Sequence, residues 1–510
     1  MKLRPIWPLI IFLAVIKFVL PFILQSHVYE PHRDELLYLA EGHHVALGFM
    51  EVPPMLSLFA WITNLFGNTM FWIKFWPSLV GALTLCVTCM IAAEFGGKFF
   101  AQLIAGLGIM TGAYLRMHFL FQPNVLEILF WTLSLYFLIR FIKTTENKFL
   151  YGFVFSLVLS WWSKYTVVFL TAAIVMAFLL SKYRFLLLQK RVYLAIFVGL
   201  LFILPNIWWQ YDNGWPLVFH MRKLQETQLK YLSPAGFLID QLQYLGPVVF
   251  VWIAGLIWLL GKKDWRFLGW TYLFVIALLV IGRGKSYYSM GIYPMLLAAG
   301  GAGLEQWTER RKILRPIYIL LVVVLALLTI PILLPVWEPQ KLSSFYKKYK
   351  IEKTGLLNWE DQQSHPLPQD FSDMLGWEEI AQKVAKAYDL LPPQEQKDVF
   401  IFCNNYGMAG AVNYYAPKYH LPAAYSDNAS FLYWLPVDKY ISNMILVTRD
   451  PHEEQHEWAK GFQQIIKVDS VTSFYARERG DYIYLFKGGD KNFNHFFEEK
   501  IGKDKAEFNY

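Results

Sequence analysis

Long apolar runs constrain this chain more than any other feature. Eleven of them lie at roughly 6–24, 70–92, 98–115, 120–142, 149–163, 165–182, 191–209, 241–261, 265–282, 287–304 and 313–335. Most reach the length a helix needs to cross a hydrocarbon layer of about 30 Å, and 149–163 is the short one. A backbone in lipid must satisfy its own hydrogen bonds, so such runs are expected to be helices. Hydrophobic residues make up 56% of the chain and charged residues only 17%, which fits a polytopic α-helical membrane protein of about eleven transmembrane helices. The first run follows Lys2 and Arg4 and has no small-residue cleavage site before Gln25-Ser26-His27, so it reads as an uncleaved span.

The net charge of +8 does not mark a nucleic-acid partner, because the basic residues sit in short clusters between apolar runs. Lys2 and Arg4, Lys98, Arg140 to Lys148, Lys182 to Arg191, Lys262 to Arg266 and Arg310 to Arg315 all fall on one side of an eleven-span arrangement. The positive-inside rule makes that side the cytoplasm of a plasma (inner) membrane protein. The N-terminus is then cytoplasmic and everything after Leu334 extracytoplasmic. Cys86 and Cys89 lie within an apolar run with no accompanying His, and Cys403 stands alone, so packing rather than metal or disulfide chemistry is expected.

The expected domains are a transmembrane part, 1–336, with an outer loop at 25–69, and a small C-terminal α/β domain, 337–510. In that domain Asp398–Cys403, Met444–Thr448, Ile465–Val468 and Tyr482–Phe486 read as strands, and Trp377–Tyr388 as a helix. In the outer loop, Asp34 to Leu47 reads as a short amphipathic helix with Leu36, Leu37, Leu39, Ala40 and Val45 on its apolar side. Pro53-Pro54 breaks the chain, and Met55 to Phe66 forms a second helix lying in the interface.

That loop holds His32, Arg33, Asp34, Glu35, Glu41, His43, His44 and Glu51, a dense set of charges beside a membrane. Asp34 and Glu35 suit a helix N-terminus, where carboxylates favour the dipole and cap free amides. They equally suit catalysis, with a carboxylate as general base toward a hydroxyl. Glu51 is either a solvated turn residue or a second acid facing the same cleft. His220, in the outer 210–240 connection, is a surface histidine or a metal or phosphate ligand. Arg283, Lys285 and Tyr288 cluster at an outer connection and suit a lipid-linked phosphate, with Arg116 as a further outer cation. His43 and His44 read as surface residues.

The order of these pieces resembles the protein O-mannosyltransferase-like membrane glycosyltransferases of the GT-C superfamily, near the bacterial lipid A aminoarabinose transferase branch. The pieces are Asp34-Glu35, Glu51-x-Pro53-Pro54, Gln122-Pro123-Asn124, Ser163-Lys164-Tyr165, Pro205-Asn206-Ile207-Trp208-Trp209-Gln210 with Gly214-Trp215-Pro216, Lys285-x-x-Tyr288 with Tyr293-Pro294, and Asn405-Tyr406-Gly407-x-Ala409-Gly410-Ala411. The resemblance implies inverting transfer of a sugar from a polyprenyl-phosphate donor to a cell-envelope glycan, lipid or protein on the outer face. It implies Asp34 as general base and Lys285 with Tyr288 on the donor phosphate. Glu51 and His220 match positions that hold a divalent metal in that branch. Val52, Leu37 and Asn124 depart from it, standing where the branch has Lys, Arg and, in many members, Asp. Tyr406, Asp427 and Asn428 are expected to face the acceptor. The rival class is a transporter or flippase of a lipid-linked substrate, against which the charges gather at one face and no paired broken helices or repeats are expected.

Overall fold

The computed structural model describes residues 4–506; Lys2, counted above among the cytoplasmic cations, and 507–510 lie outside the described residues. The first part is helical: α1 (Trp7–Leu24), α2 (Arg33–Glu41), α3 (Met55–Leu65), α4 (Met70–Glu94), α5 (Phe99–Ile109), α6 (Ala113–Met117), α7 (Pro123–Thr144) and α8 (Asn147–Ser163). It continues with α9 (Val167–Leu179), α10 (Lys190–Asp212), α11 (Pro216–Thr227), α12 (Pro234–Tyr244), α13 (Val249–Gly261), α14 (Arg266–Ile281), α15 (Tyr293–Trp307) and α16 (Leu314–Leu333).

Each apolar run holds a helix, but the helices are more varied than the runs. Five described helices, α1, α4, α7, α10 and α16, are long and apolar enough to cross a membrane, and two strongly bent pairs bring the number to seven. In the other runs α5, α8, α14 and α15 have 11, 17, 16 and 15 residues. The difference has a local cause. The run at 98–115 breaks after Met110, where Gly112 takes a φ of 57°, and the run at 287–304 opens with a 3-10 turn, Ser286–Ile292. Irregular backbone of this kind is tolerated at membrane depth where protein buries it, and α15 is buried along nearly its whole length. Cys86 and Cys89 are free, and Cys89 is fully buried in this core.

The remainder adds α17 (Pro339–Lys348), α18 (Gln369–Ser372), α19 (Trp377–Asp389), α20 (Pro393–Gln396), β1 (Phe400–Cys403), α21 (Tyr406–Tyr419), β2 (Ala424–Tyr425), α22 (Phe431–Trp434), β3 (Asn443–Thr448), β4 (Gln464–Ser470), β5 (Tyr482–Lys487) and α23 (Lys491–Ala506). The sheet order is β2-β1-β3-β5-β4. Strand β1 is parallel to β2 and β3, and β5 is antiparallel to β3 and β4, with Ile401 opposite Ile445 and Ile445 opposite Leu485. Side chains alternate between two buried faces. Ile401, Ile445, Ile483 and Leu485 face α19 and α21, whereas Phe400, Phe402, Met444, Leu446 and Phe486 pack with Phe493, Phe497 and Ile501 of α23. Burial on both faces explains why the inner strands read as unbroken apolar runs.

The loop after α1 is held between the two parts. Leu36 and Leu37 of α2 join the apolar cluster of α19, α21 and the sheet, and Met50 joins the cluster on the opposite face. Glu30 accepts the Trp377 and Glu378 amides at 3.0 and 2.6 Å, closing the first turn of α19. Arg33 N donates to Asp373 O at 2.9 Å. The α2 helix ends at Glu41, short of the expected Leu47, and Val45 is 75% exposed rather than on the apolar side. His43 and His44 are exposed as expected, with His44 stacked on Trp434.

Candidate active site

Helix α2 starts with a capping box. The His32 ring nitrogen Nδ1 accepts Asp34 N at 3.1 Å, and Glu35 Oε2 accepts His32 N at 2.8 Å. This fixes how the first turn points its carboxylates, and it sends Asp34 and Glu35 to opposite fates.

Asp34 faces a cavity of about 740 Å³ between the helical bundle and the C-terminal α/β part. Its side chain is about one-third exposed into that space. Gln122 Nε2, at the N-terminus of α7, donates to Asp34 Oδ2 at 3.1 Å, and the Tyr406 phenol donates to Oδ1 at 2.8 Å. Burial works to raise the Asp34 carboxyl. The neighbouring His32, the Tyr406 hydrogen bond, Arg33 and Lys285 outweigh it and hold the group below its ordinary value. Asp34 is thus an ionised carboxylate with two donors and remaining lone pairs, open to a substrate.

Glu35 does not line the cavity, contrary to its pairing with Asp34 as a catalytic residue. Its carboxylate is fully buried, bonded to Lys74 Nζ at 2.7 and 2.9 Å and to the amides of His32 and Phe121. The side chain is consumed in holding α2, α4 and the start of α7 together. An adjacent pair on a helix points about 100° apart, so one member faces the cleft and the other the packing.

Glu51, His220, Lys285 and Tyr288 line the same cavity as Asp34. Lys285 has no ion pair with a carboxylate among the described residues, and its charge is felt by Asp34, His220 and Lys164. Arg283 and Arg116 do not join it. Arg283 is exposed in a left-handed backbone conformation and does not line the cavity, and Arg116 is paired with Asp370 and lies over the Phe371 ring. The geometry therefore divides the expected phosphate-binding set, keeping Lys285 and Tyr288 at the cavity and removing the two arginines. Tyr406, Asp427 and Asn428 also reach the cavity, from the C-terminal part.

Lys164 is a cavity residue the sequence reading did not single out for a role. It caps the end of α8, bonds Asn124 Oδ1 at 2.5 Å and Glu127 Oε2 at 3.3 Å, and sits 4.2 Å from the Tyr288 ring centroid. A lysine between two apolar runs was the available signal. Lys223 and Lys500 complete the basic lining, the latter paired with Asp427.

The expected metal residues have suitable chemistry. Burial, with Lys285, pushes His220 down to about 4, so its imidazole is neutral and able to ligate. Glu51 accepts Ser430 N at 2.7 Å and Ser430 Oγ at 2.6 Å, which leaves it further lone pairs. Behind it lies the buried Glu41 carboxyl, which burial and then Glu51 push well above its ordinary value, so that it holds a proton and shares it with Glu51, whose own carboxyl burial also raises. Glu51 and His220 line the same cavity, a carboxylate and a neutral imidazole of the kind that ligates a divalent ion. His32, Asp370 and Asp373 bring their ligand atoms close together, but this grouping does not suit a metal. His32 Nδ1 already accepts a backbone amide, so its ring proton sits on Nε2, the atom that faces the two aspartates at 4.0 and 3.9 Å.

Residues 51–209 match the sequence family described as dolichyl-phosphate-mannose-protein mannosyltransferase. No curated protein sequence matches the chain. In three dimensions it is similar to ArnT from Cupriavidus metallidurans bound to undecaprenyl phosphate, with a TM-score of 0.62 at 12% identity over 94% of this chain and 97% of that one. It is also similar to the Archaeoglobus fulgidus oligosaccharyltransferase in complex with Zn and sulfate, with a TM-score of 0.50 at 13% identity over 86% of this chain and 68% of that one. The same archaeal enzyme, AglB, with an inhibitory peptide and a dolichol-phosphate, matches at 0.50 and 12% over 86% and 69%. This chain has the fold of ArnT, a bundle of apolar, membrane-type helices followed by a small C-terminal sheet domain.

Proposed function

We propose that the protein transfers a sugar from a polyprenyl-phosphate donor to a hydroxyl of a cell-envelope acceptor on the outer face of the membrane. The observation that carries this reading is the placement on one cavity of the Asp34 carboxylate and the Lys285 ammonium, which has no carboxylate partner among the described residues. A base for an incoming hydroxyl and a cation for a departing phosphate are what such a transfer requires. The similar structures that contain undecaprenyl phosphate and dolichol-phosphate support the donor class.

In the reaction, the acceptor oxygen attacks the anomeric carbon from the side opposite the phosphate. The C–O bond to the acceptor forms as the bond to the phosphate oxygen breaks, which inverts the carbon. The acceptor's proton passes to Asp34, and the electron pair leaves with polyprenyl phosphate, whose charge Lys285 receives with Tyr288 beside it. Lys164 stands behind Tyr288 as a second ammonium. A divalent metal held by Glu51 and His220 supplies further positive charge for the phosphate when bound.

The membrane-spanning part, 1–336, houses this chemistry with its loop 25–69, and 337–510 forms the extracytoplasmic wall of the site in the plasma membrane. Purified full-length protein is tested with labelled polyprenyl-phosphate sugars and a cell-envelope extract. Label passes to the extract with wild-type protein and is lost by Asp34→Asn at unchanged expression. Wild-type rates from Asp34→Asn, or movement of label across sealed vesicles with no product, would overturn the reading in favour of a transporter.

A further inference from the structure

The segment Asn405-Tyr406-Gly407-x-Ala409-Gly410-Ala411 resembles a piece of known family members, but nothing in the transfer chemistry itself calls for it. Its geometry supplies a reason. Asn405 Oδ1 accepts Met408 N at 3.0 Å and caps α21, which presents Tyr406 at the first helical position. The face of α21 that follows lies against α2. A Cβ at Gly407 would meet Arg33 Cγ at 2.7 Å, and one at Gly410 would meet Leu36 Cβ at 2.9 Å and its backbone at 3.2 Å. Only residues without a side chain let the two helices approach this closely. Ala409, Ala411 and Met408 are buried in the same contact region as Leu36 and Leu37.

Two groups fix the Tyr406 ring. The Arg33 guanidinium lies 4.5 Å from its centroid, and the phenol oxygen is 2.8 Å from Asp34 Oδ1, a bond between residues 372 positions apart. Burial first, and then the Asp34 charge, push the phenol well above its ordinary value, so it stays a donor. Gln122 occupies the other Asp34 oxygen. Donors on both oxygens lock the carboxylate rotamer and aim the free lone pairs into the cavity.

We propose that this segment is the clamp through which the C-terminal α/β part holds the base, with Tyr406 as the positioning residue for Asp34. The proposal rests on the glycosyl-transfer reading above and deepens it. It makes the C-terminal part a component of the catalytic apparatus as well as a wall of the site. The phenol also lowers the affinity of Asp34 for protons, so its removal has a directional consequence that loss of packing does not share.

The test uses full-length Tyr406→Phe, which keeps the ring under Arg33 and removes only the hydroxyl. A hydrogen bond to a charged group contributes about 1.5–3 kcal/mol, so kcat falls about 10- to 100-fold with donor KM little changed. The acid limb of kcat moves to higher pH. The pH dependence of carbodiimide labelling at Asp34, read by mass spectrometry, moves its midpoint the same way with no turnover needed. Unchanged kcat overturns the proposal, as does an unmoved labelling midpoint. Transfer retained by Asp34→Asn overturns the underlying reading instead, and is recognised separately because it does not involve Tyr406.

Discussion

Glu35 and Lys74 form a buried ion pair at 2.7 Å, with neither side chain more than 2% exposed. The pair ties the first turn of α2 to the membrane helix α4, and Lys74 also lies over the Phe119 ring at 4.1 Å. Breaking a buried pair from one side strands a charge and costs about 3–5 kcal/mol, whereas replacing both partners is far milder. Lys74→Met is expected to lower the melting temperature sharply in detergent, and Glu35→Gln combined with Lys74→Met to recover much of it. A Lys74→Met protein that melts with the wild type would show that the pair holds nothing.

The expected phosphate-binding cations separate in a way that kinetics can read. Lys285 lines the cavity with no carboxylate partner among the described residues, Arg283 is exposed and does not line it, and Arg116 is engaged with Asp370. A charge-assisted contact is worth about 1.5–3 kcal/mol, so Lys285→Met is expected to weaken donor use about 10- to 100-fold in kcat/KM. Arg283→Ala is expected to stay within about twofold of wild type. Arg116→Met is expected to lower the melting temperature more than it changes donor KM. Equal losses from Lys285→Met and Arg283→Ala would remove Lys285 from its role.

Metal content gives a third check. Glu51→Gln and His220→Ala are each expected to lower the divalent metal that copurifies with the protein, measured by elemental mass spectrometry after dialysis. Asp34→Asn leaves the metal in place, because Asp34 takes proton-transfer duty only. Metal bound equally by all three variants would place the ion elsewhere.

Much of this arrangement is legible in the sequence, for definable reasons. Strand positions at 398–403, 444–448, 465–468 and 482–486 come within two residues of the observed ones, the inner strands because both their faces are buried and their runs are largely apolar, the exposed edge strand β4 through its β-branched Ile465, Ile466 and Val468. The helix α21 was missed: its small residues at 407, 409, 410 and 411 carry a helix–helix contact rather than an amphipathic pattern. Asp34, Glu51, His220, Lys285 and Tyr288 line one cavity, and the sequence reading puts each in or beside a connection on one side of the eleven-run arrangement. The separate duties of Asp34 and Glu35 were not legible. They depend on a Lys74 partner 39 positions away and on a Tyr406 donor 372 positions away, and no local spacing encodes either.

The C-terminal part carries its own pH dependence, at a group that shares a pocket with Arg33 and Asn405. Asp481 is 1% exposed, and burial followed by the adjacent Glu478 pushes its carboxyl up to about 7 against the pull of Arg449, which is 3.2 Å away. The unfolded chain releases that proton near the ordinary carboxylate value of about 3.9. Between about 4 and about 7 the folded state therefore holds more protons than the unfolded one, and stability falls as pH rises across that window. Above about 7 both states are ionised and the slope from this group ends. Melting of the full-length protein at pH 5, 6, 7 and 8 is expected to show the decline, and Asp481→Asn, which cannot ionise, to flatten it. A wild-type melting temperature that rises from pH 5 to 7, with the same slope in Asp481→Asn, would mean that the carboxyl titrates as an ordinary surface acid and that Arg449 alone neutralises it.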